Sequence, residues 1–221
     1  MRKRVVFWDM DGVLVPTEPL RARAHVETVR RLGGSVPETF YLEIGGAGRA
    51  HEVVRAMFMC AGGIIKVPTE EYALVFQDYF RQSLCGILPN HGILELLSVL
   101  WTRSRLIGVV SSSSAEEVNF ILQESRLDRF GFFGAVVTGD DVTNKKPAPD
   151  AYLLALAKLG IEAEHSVVIE DSESGIKAAV ATGLPVIALR HDYNADQDFS
   201  RASRVITTLE GVEEILERFV C

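Results

Sequence analysis

Two aspartates one residue apart, Asp9 and Asp11, directly follow a run of four apolar residues, Val5–Trp8. The run does not alternate between apolar and polar residues, which predicts a strand buried on both faces. Side chains at i and i+2 of an extended chain point the same way, about 6.5 Å apart. Two carboxylates at that separation repel by about 2–3 kcal/mol at an effective dielectric of about 20, so one of them favours its protonated form unless a cation intervenes. An acid beside a carboxylate suits acid–base or covalent chemistry, with a turn or helix-cap role as the alternative.

A serine run, Ser111–Ser114, follows another apolar run. It has the spacing of a helix capping box, either as Ser113 with Glu116 or as Ser114 with Glu117. The N-terminus of such a helix would present N–H groups and hydroxyls to an anion. A solvated cap without a ligand would have the same sequence pattern.

Two further turns carry charged residues. Lys146 stands before Pro147, which places a cation at a rigid turn, although single exposed lysines are common. Glu170 and Asp171 end another apolar run, so a second strand is predicted to end on two acids. Acids at two strand ends of one sheet can share a hard, oxygen-binding cation such as Mg²⁺. A surface turn is the alternative.

Short apolar runs alternate with helix-period segments along most of the chain. The predicted strands are Val5–Trp8, Leu106–Val110, Ala135–Val137, Ser166–Ile169 and Pro185–Leu189. One predicted helix has Asp150 as its N-cap and ends at Gly160, another ends at Gly183, and an apolar stripe from Val212 to Val220 predicts a C-terminal helix. This order predicts an α/β fold, with a parallel sheet covered by helices on both faces.

Residues 18–88 break this rhythm, because they contain no comparable strand-like run. An amphipathic helix is predicted there by the i, i+3, i+4, i+7 spacing of Tyr72, Val75, Phe76 and Tyr79. We therefore predict an α/β core, formed by residues 1–17 and 89–221, and an all-helical cap domain, residues 18–88, inserted after the first strand.

The polar turns all follow predicted strands, and ligands of open parallel sheets bind at the carboxyl ends of the strands. Together these turns would supply a nucleophile, an acid or base, an anion cradle, a fixed cation and a metal site. That set of groups fits phosphoryl transfer through an aspartyl-phosphate. A metal and a lysine would offset the charge of the two acids that end the first strand.

Bulk properties exclude several classes of protein. The formal net charge of −7 argues against nucleic-acid binding. No apolar run approaches the length of a membrane span or of a secretory signal. Cys60, Cys85 and Cys221 are odd in number and widely spaced, which indicates neither a disulfide framework nor a zinc site. A reducing cytoplasm is the expected location, and a monomer the expected state.

Four segments together resemble the motifs of the haloacid dehalogenase-like hydrolase superfamily. In order they are FWDMDGVLVPTEPL, VVSSSS, KKPAPDAYLLA and VVIEDSESGIKAA. The chain is most similar to the branch with a helical cap after the first motif, which includes sugar-phosphate phosphatases and β-phosphoglucomutases. The resemblance implies a Rossmann-like core with an inserted cap.

The resemblance also implies a role for individual residues. Asp9 would be the nucleophile and Asp11 the general acid/base. Ser111, with neighbouring groups such as Ser112, would bind phosphate, and Lys146 would neutralise both the phosphate and Asp9. The implied Mg²⁺ ligands are the Asp9 carboxylate, the Asp11 main-chain carbonyl and Asp171, with Glu170 nearby.

Three residues are notable against the family's pattern: Pro16 bears on the hydrogen bonding of the hinge, and Arg21 and Arg49 bear on specificity. Pro16 stands where the family has an aspartate, and Arg21 where it has a histidine near the substrate. Arg49 ends GGAGR, which resembles the specificity loop of the cap, and would meet a second anionic or hydroxylated group unless it is simply solvated. The dehalogenases lack an aspartate at the position of Asp11, which argues against halide displacement here.

The expected function is a Mg²⁺-dependent phosphatase for a small phosphorylated metabolite, with a sugar phosphate as the expected class. A β-phosphoglucomutase-like hexose-phosphate mutase is the alternative on the same site. A phosphonate hydrolase is less favoured, because Lys66 is the one cap lysine available for an imine. A non-catalytic module is disfavoured by the presence of Asp9, Asp11 and Lys146. Neither a nucleic acid nor a membrane is an expected partner.

Overall fold

The computed structural model describes residues 4–43, 49, 51–60, 65, 67–103 and 105–219, with only the backbone given at positions 51 and 52. Within these residues the chain forms a parallel sheet of six strands, in the order β3-β2-β1-β4-β5-β6. The strands are β1 Val5–Trp8, β2 Leu106–Val110, β3 Phe133–Val137, β4 Ser166–Glu170, β5 Val186–Leu189 and β6 Arg204–Ile206. The first predicted strand is thus one of the two central strands, next to β4.

Nine α-helices complete the described part of the chain. They are α1 Thr17–Arg31, α2 Phe40–Glu43, α3 His51–Cys60, α4 Thr69–Ser83, α5 Ile93–Thr102, α6 Ala115–Glu124, α7 Asp150–Leu159, α8 Glu173–Val180 and α9 Val212–Phe219. None of the described helices is long and apolar enough to cross a membrane.

Helices cover both faces of the sheet, which explains why β1 does not alternate. Val6 and Trp8 pack in one apolar layer with residues of α5, α6 and α9, whereas Val5 and Phe7 pack in a second layer with residues of α7 and α8. Successive side chains of a strand point to opposite faces, so each face of β1 is buried. The predicted fold class is therefore confirmed.

The helices α1–α4 lie between β1 and β2 in the chain. Tyr72 and Phe76 on α4 are buried, as the predicted amphipathic pattern requires, and Phe80 extends the same face. The predicted unit boundaries fall within the first turn of α1 and between α4 and α5. Lys66, Val220, Cys221 and most of the GGAGR segment lie outside the described residues, whereas Cys60 and Cys85 are exposed free thiols.

Asn90 joins the two chain segments that lead into and out of this helical region. Its side-chain amide donates to the carbonyls of Gly12 and Val13, at 3.0 and 2.8 Å. Its main-chain N–H donates to the carbonyl of Leu14 at 2.9 Å. The outgoing segment after β1 and the returning segment before α5 are thus bonded side by side.

Some local predictions need correction. Asp150 is the first residue of α7 and follows Pro149, so the prediction that it is the N-cap was wrong by one position. Its carboxylate accepts a hydrogen bond from the Asn144 amide at 3.0 Å. Of the two predicted capping pairs, the structure has Ser114 accepting from the Glu117 N–H at 3.2 Å. Pro16 directly precedes α1, where its missing N–H is tolerated.

Candidate active site

The carboxyl ends of β1, β2 and β4 converge on a cavity of about 340 Å³. Seven of the nine predicted site residues line it. They are Asp9, Asp11, Arg21, Arg49, Ser112, Lys146 and Asp171. The other two, Ser111 and Glu170, are buried behind its wall. Residues that are far apart in the chain therefore meet at the carboxyl ends of the parallel strands, where ligands of such sheets bind.

Lys146 lies between two carboxylates at the base of the cavity. Its ammonium Nζ is 2.6 Å from Asp9 Oδ1, 2.6 Å from Glu170 Oε1 and 2.8 Å from the carbonyl oxygen of Val110. Burial alone would lower the pKa of Lys146, but Asp9 and Glu170 raise it well above its ordinary value. The side chain is therefore a fixed, permanently charged cation beside Asp9.

Glu170 is fully buried, and both of its oxygens face hydrogen-bond donors. Oε1 meets Lys146 and accepts from the Tyr152 hydroxyl at 3.2 Å. Oε2 accepts from the N–H groups of Asp171 and Ser172 and from the Ser172 hydroxyl, each at 3.0 Å. This arrangement makes Glu170 the group that holds Lys146 in place, while its predicted part in metal binding stays a prediction.

Carboxylate oxygens of Asp9, Glu170 and Asp171 lie within 4.8 Å of one another. Burial, followed by the charges of Glu170 and Asp171, raises the pKa of Asp9 well above its ordinary range despite the opposing effect of Lys146. Burial and Glu170 likewise raise the pKa of Asp171. Such a concentration of buried negative charge is what a divalent cation would relieve, and carboxylate oxygens are the donors that Mg²⁺ prefers. The residues present therefore fit a Mg²⁺ site.

Asp11 is held by side chains on both of its oxygens. Oδ1 accepts from the Thr17 hydroxyl at 2.8 Å and lies 3.6 Å from the Arg21 guanidinium. Oδ2 faces the hydroxyls of Ser113 and Ser111, at 3.1 and 3.5 Å. Asp11 lines the same cavity as Asp9.

The serine run forms the side of the cavity at the N-terminus of α6. Ser111 is buried, and its hydroxyl accepts from the Ser113 N–H at 3.1 Å, whereas Ser112 is exposed to the cavity. The hydroxyls and the helix N-terminus together favour an anion at this side. The predicted phosphate-binding position thus lies in the same cavity as Asp9 and Lys146.

Arg21 connects α1 with α6 across the cavity. Its guanidinium lies 3.3 Å from Glu117 and stacks 4.4 Å above the ring of Phe80. Burial would lower the pKa of Arg21, but Asp11 and Glu117 raise it above its ordinary value. Arg21 is therefore always charged. Arg49 lines the mouth of the same cavity and is exposed.

Two residues near the site were not singled out for chemistry by the sequence. Glu117 bonds Arg21, and His191 Nε2 lies 2.9 Å from Asp171 Oδ2. Burial lowers the pKa of His191, which keeps its ring neutral. The rule that ligands bind at carboxyl ends of strands, applied to the turn after β5, would have pointed to His191.

Comparisons with known proteins show the family and the fold of the chain. A family model described as haloacid dehalogenase-like hydrolase matches residues 6–189. The phosphorylated carbohydrates phosphatase of Thermotoga maritima is 30% identical over 213 residues, which make up 96% of this chain and 95% of that protein.

Two crystal structures are similar over nearly their whole length. CbbY from Rhodobacter sphaeroides, in complex with phosphate, has a TM-score of 0.77 at 26% identity, covering 95% of this chain and 96% of CbbY. A putative beta-phosphoglucomutase from Thermotoga maritima has a TM-score of 0.79 at 26% identity, covering 97% and 99%. Since the family model spans most of the chain and the Thermotoga phosphatase matches it almost end to end, the chain belongs to the haloacid dehalogenase-like hydrolase family.

Proposed function

We propose that this hydrolase is a Mg²⁺-dependent phosphatase for a small phosphorylated metabolite, and that it forms a phosphorylated Asp9 as its intermediate. The observation that carries the proposal is the buried Lys146, which lies 2.6 Å from Asp9 while a second carboxylate, Asp11, lines the same cavity. The relative from Thermotoga maritima is named a phosphorylated carbohydrates phosphatase, and this name supports a sugar phosphate as the substrate class.

The reaction follows from the roles of these groups. An oxygen of Asp9 attacks phosphorus, and the bond between phosphorus and the leaving oxygen breaks as Asp11 donates a proton to that oxygen. Asp11 then takes a proton from water, whose oxygen attacks phosphorus and displaces the Asp9 carboxylate. Inorganic phosphate is released, and both aspartates return to their starting states.

The surrounding residues prepare Asp9 and the phosphoryl group. Lys146 keeps Asp9 oriented and offsets negative charge as the phosphoryl group arrives, and Glu170 holds Lys146. Ser111 and Ser112, at the start of α6, would receive the phosphoryl oxygens. Mg²⁺ would be held by the Asp9 carboxylate, the Asp11 main-chain carbonyl and Asp171, with Glu170 nearby, and it would neutralise charge on the phosphate and on the carboxylates.

The helical segment, residues 18–88, is proposed to act as the cap that selects the substrate. Arg21 on α1 and Arg49 both line the cavity, so both are placed to meet an anionic or hydroxylated part of the substrate. The division into a core, residues 1–17 and 89–221, and this cap belongs to the same proposal. A monomeric state and a cytoplasmic location stay predictions.

A mutase is the second candidate, because the similar Thermotoga structure is described as a putative beta-phosphoglucomutase. A mutase must keep water away from phosphorylated Asp9 and must deprotonate a sugar hydroxyl. Arg21 stands where the family has a histidine, and a guanidinium held by Asp11 and Glu117 cannot act as a base. Water is therefore the expected acceptor.

The test is hydrolysis of a generic aryl phosphate with Mg²⁺ and with a chelator, followed by a panel of phosphorylated metabolites. We expect Mg²⁺-dependent phosphate release and a preference for a sugar phosphate. A second assay supplies β-glucose 1-phosphate with a trace of the 1,6-bisphosphate, from which we expect phosphate release or no reaction. Accumulation of glucose 6-phosphate without phosphate release would overturn the phosphatase in favour of the mutase.

A further inference from the structure

The loop after β5 holds Asp171 from two directions, although none of its residues belongs to the four sequence motifs. The imidazole Nε2 of His191 lies 2.9 Å from Asp171 Oδ2. The side-chain amide of Asn194 donates to the main-chain carbonyl of Asp171 at 2.8 Å. Both the carboxylate and the backbone of Asp171 are thus bonded to one short segment.

The hydrogen bonds around His191 define which ring nitrogen carries the proton. The N–H of Tyr193 donates to His191 Nδ1 at 3.2 Å, so Nδ1 must be an acceptor. Nε2 is then the nitrogen that carries a proton, and it lies 2.9 Å from Oδ2 of the Asp171 carboxylate. The imidazole is therefore a donor to Asp171.

The position of His191 is itself fixed by Asn194. The main-chain N–H of His191 donates to Asn194 Oδ1 at 2.9 Å, and the Asn194 amide also donates to the carbonyl of Leu189 at 2.9 Å. Asn194 is fully buried. The end of β5, the histidine and Asp171 are consequently connected by one buried amide.

The backbone of Gly12 lies against the same oxygen of Asp171, Oδ2, that contacts His191. Gly12 has a φ of 77°, and a Cβ atom at this position would collide with the Asp171 carboxylate and come within 3.4 Å of His191 Nε2. A side chain whose Oδ2 touches both a glycine backbone and a ring N–H has little rotational freedom. Binding an ion would therefore cost little further conformational entropy of the Asp171 side chain.

We propose that His191 is a positioning residue that fixes the Asp171 carboxylate for a divalent cation. The inference rests on the proposed function, since it takes Asp171 as a metal ligand. With Oδ2 occupied by the imidazole N–H, the carboxylate is held in one orientation before the ion arrives. Hydrogen bonds of this kind around metal ligands typically change metal affinity by about 10–100-fold.

The experiment measures Mg²⁺ binding to the full-length protein by isothermal titration calorimetry, without substrate. His191→Phe keeps a ring but removes the donor, and His191→Ala removes the ring as well. We expect each to raise the Mg²⁺ dissociation constant by about 10–100-fold. His191→Gln keeps an N–H donor and is expected to stay within about threefold of wild type, below that range. His91→Ala is the matched control, because His91 is an exposed histidine lining the same neighbouring cavity as His191.

A second readout separates positioning from a general loss of structure. With aryl phosphate as substrate and saturating Mg²⁺, folded His191→Phe should reach most of the wild-type kcat, because Asp9, Asp11 and Lys146 are unchanged. Unchanged Mg²⁺ affinity in His191→Phe or His191→Ala overturns the inference and leaves the proposed function standing. An equal loss of Mg²⁺ affinity in His191→Gln and His191→Phe overturns the inference too, because the N–H donor then does not matter. A wild-type protein that binds no Mg²⁺ would instead overturn the metal in the proposed function.

Discussion

Lys146→Met would leave two buried carboxylates without the cation that they share. The ammonium lies 2.6 Å from both Asp9 Oδ1 and Glu170 Oε1, and the lysine side chain is only 2% exposed. Methionine preserves most of the length of the apolar side chain, but it carries neither charge nor N–H, and it loses the contact of the ammonium with the Tyr152 ring 5.1 Å away. The change therefore removes the electrostatic contact with little loss of packing.

The expected size of the effect follows from the burial of the three groups. Removing one partner of a buried ion pair costs about 3–5 kcal/mol, because the remaining charge is left uncompensated. For a chain of this length that corresponds to a fall in Tm of about 6–20 °C. Since Lys146 holds two carboxylates rather than one, we expect the upper half of this range.

The loss should depend on pH in a definite direction. Burial raises the pKa of Asp9 in the folded protein, and Lys146 opposes that rise, so the pKa of Asp9 is expected to rise further in Lys146→Met. A carboxyl whose pKa is higher when folded than when unfolded binds more protons in the folded state. Stability therefore increases as the pH falls, and the deficit of the variant should shrink between pH 8 and about pH 5.

The assay is thermal and urea unfolding of wild type, Lys146→Met, Glu170→Gln and the double variant. In the double variant the carboxamide oxygen introduced by Glu170→Gln can still accept from the N–H groups of Asp171 and Ser172, and one uncompensated charge disappears. We expect it to be more stable than Lys146→Met by about 1–3 kcal/mol. Lys145→Met, at the exposed neighbouring lysine, is the control and should change stability by less than about 0.5 kcal/mol. Equal Tm values for Lys146→Met and Lys145→Met, or a double variant less stable than Lys146→Met, would refute this reasoning.

Three further predictions concern activity. Asp9→Asn should fold normally but keep less than a few per cent of turnover, because a carboxamide cannot attack phosphorus; greater activity with Mg²⁺ present, measured as phosphate release, would exclude the covalent route. Asp171→Ala should raise the Mg²⁺ concentration for half-maximal activity by more than about tenfold, and activity in chelator equal to that in Mg²⁺ would make the metal assignment wrong. Arg49→Ala should lower kcat/KM for the preferred metabolite at least about tenfold more than for an aryl phosphate, and equal losses would place Arg49 outside substrate selection.

The strands could be predicted wherever both faces are covered. Val5–Trp8 is apolar throughout because helices pack on each side of it, and the polar turns after β1, β2 and β4 meet because the strands are parallel and adjacent. The strand Arg204–Ile206 was missed, since it is short and lies at the sheet edge with Arg204 and Val205 exposed. An edge strand of that kind has no continuous apolar run to reveal it.

Details within the site depend on contacts that sequence spacing does not determine. Glu170 and Asp171 are adjacent acids, yet one turns toward Lys146 and the other toward His191. The orientation of Glu170 toward Lys146 is fixed by the main-chain N–H groups of Asp171 and Ser172, which donate to Glu170 Oε2. The contact between Arg21 and Glu117 joins residues far apart in the chain, and it exists because the fold brings the start of α1 near the start of α6.

The hydrogen bonds of Asn90 join the two ends of the helical segment that lies between β1 and α5. Because the Asn90 amide donates to the carbonyls of Gly12 and Val13, the chain that leaves after β1 returns before α5 at nearly the same place. The position of Asp9 and Asp11 is then expected to depend little on the length of chain between those ends, since closing a longer or shorter loop changes the free energy only slowly. If residues 18–88 select the substrate as proposed, a different selectivity could arise by exchanging that segment alone, while the strand ends that carry Asp9 and Asp171 stay as they are.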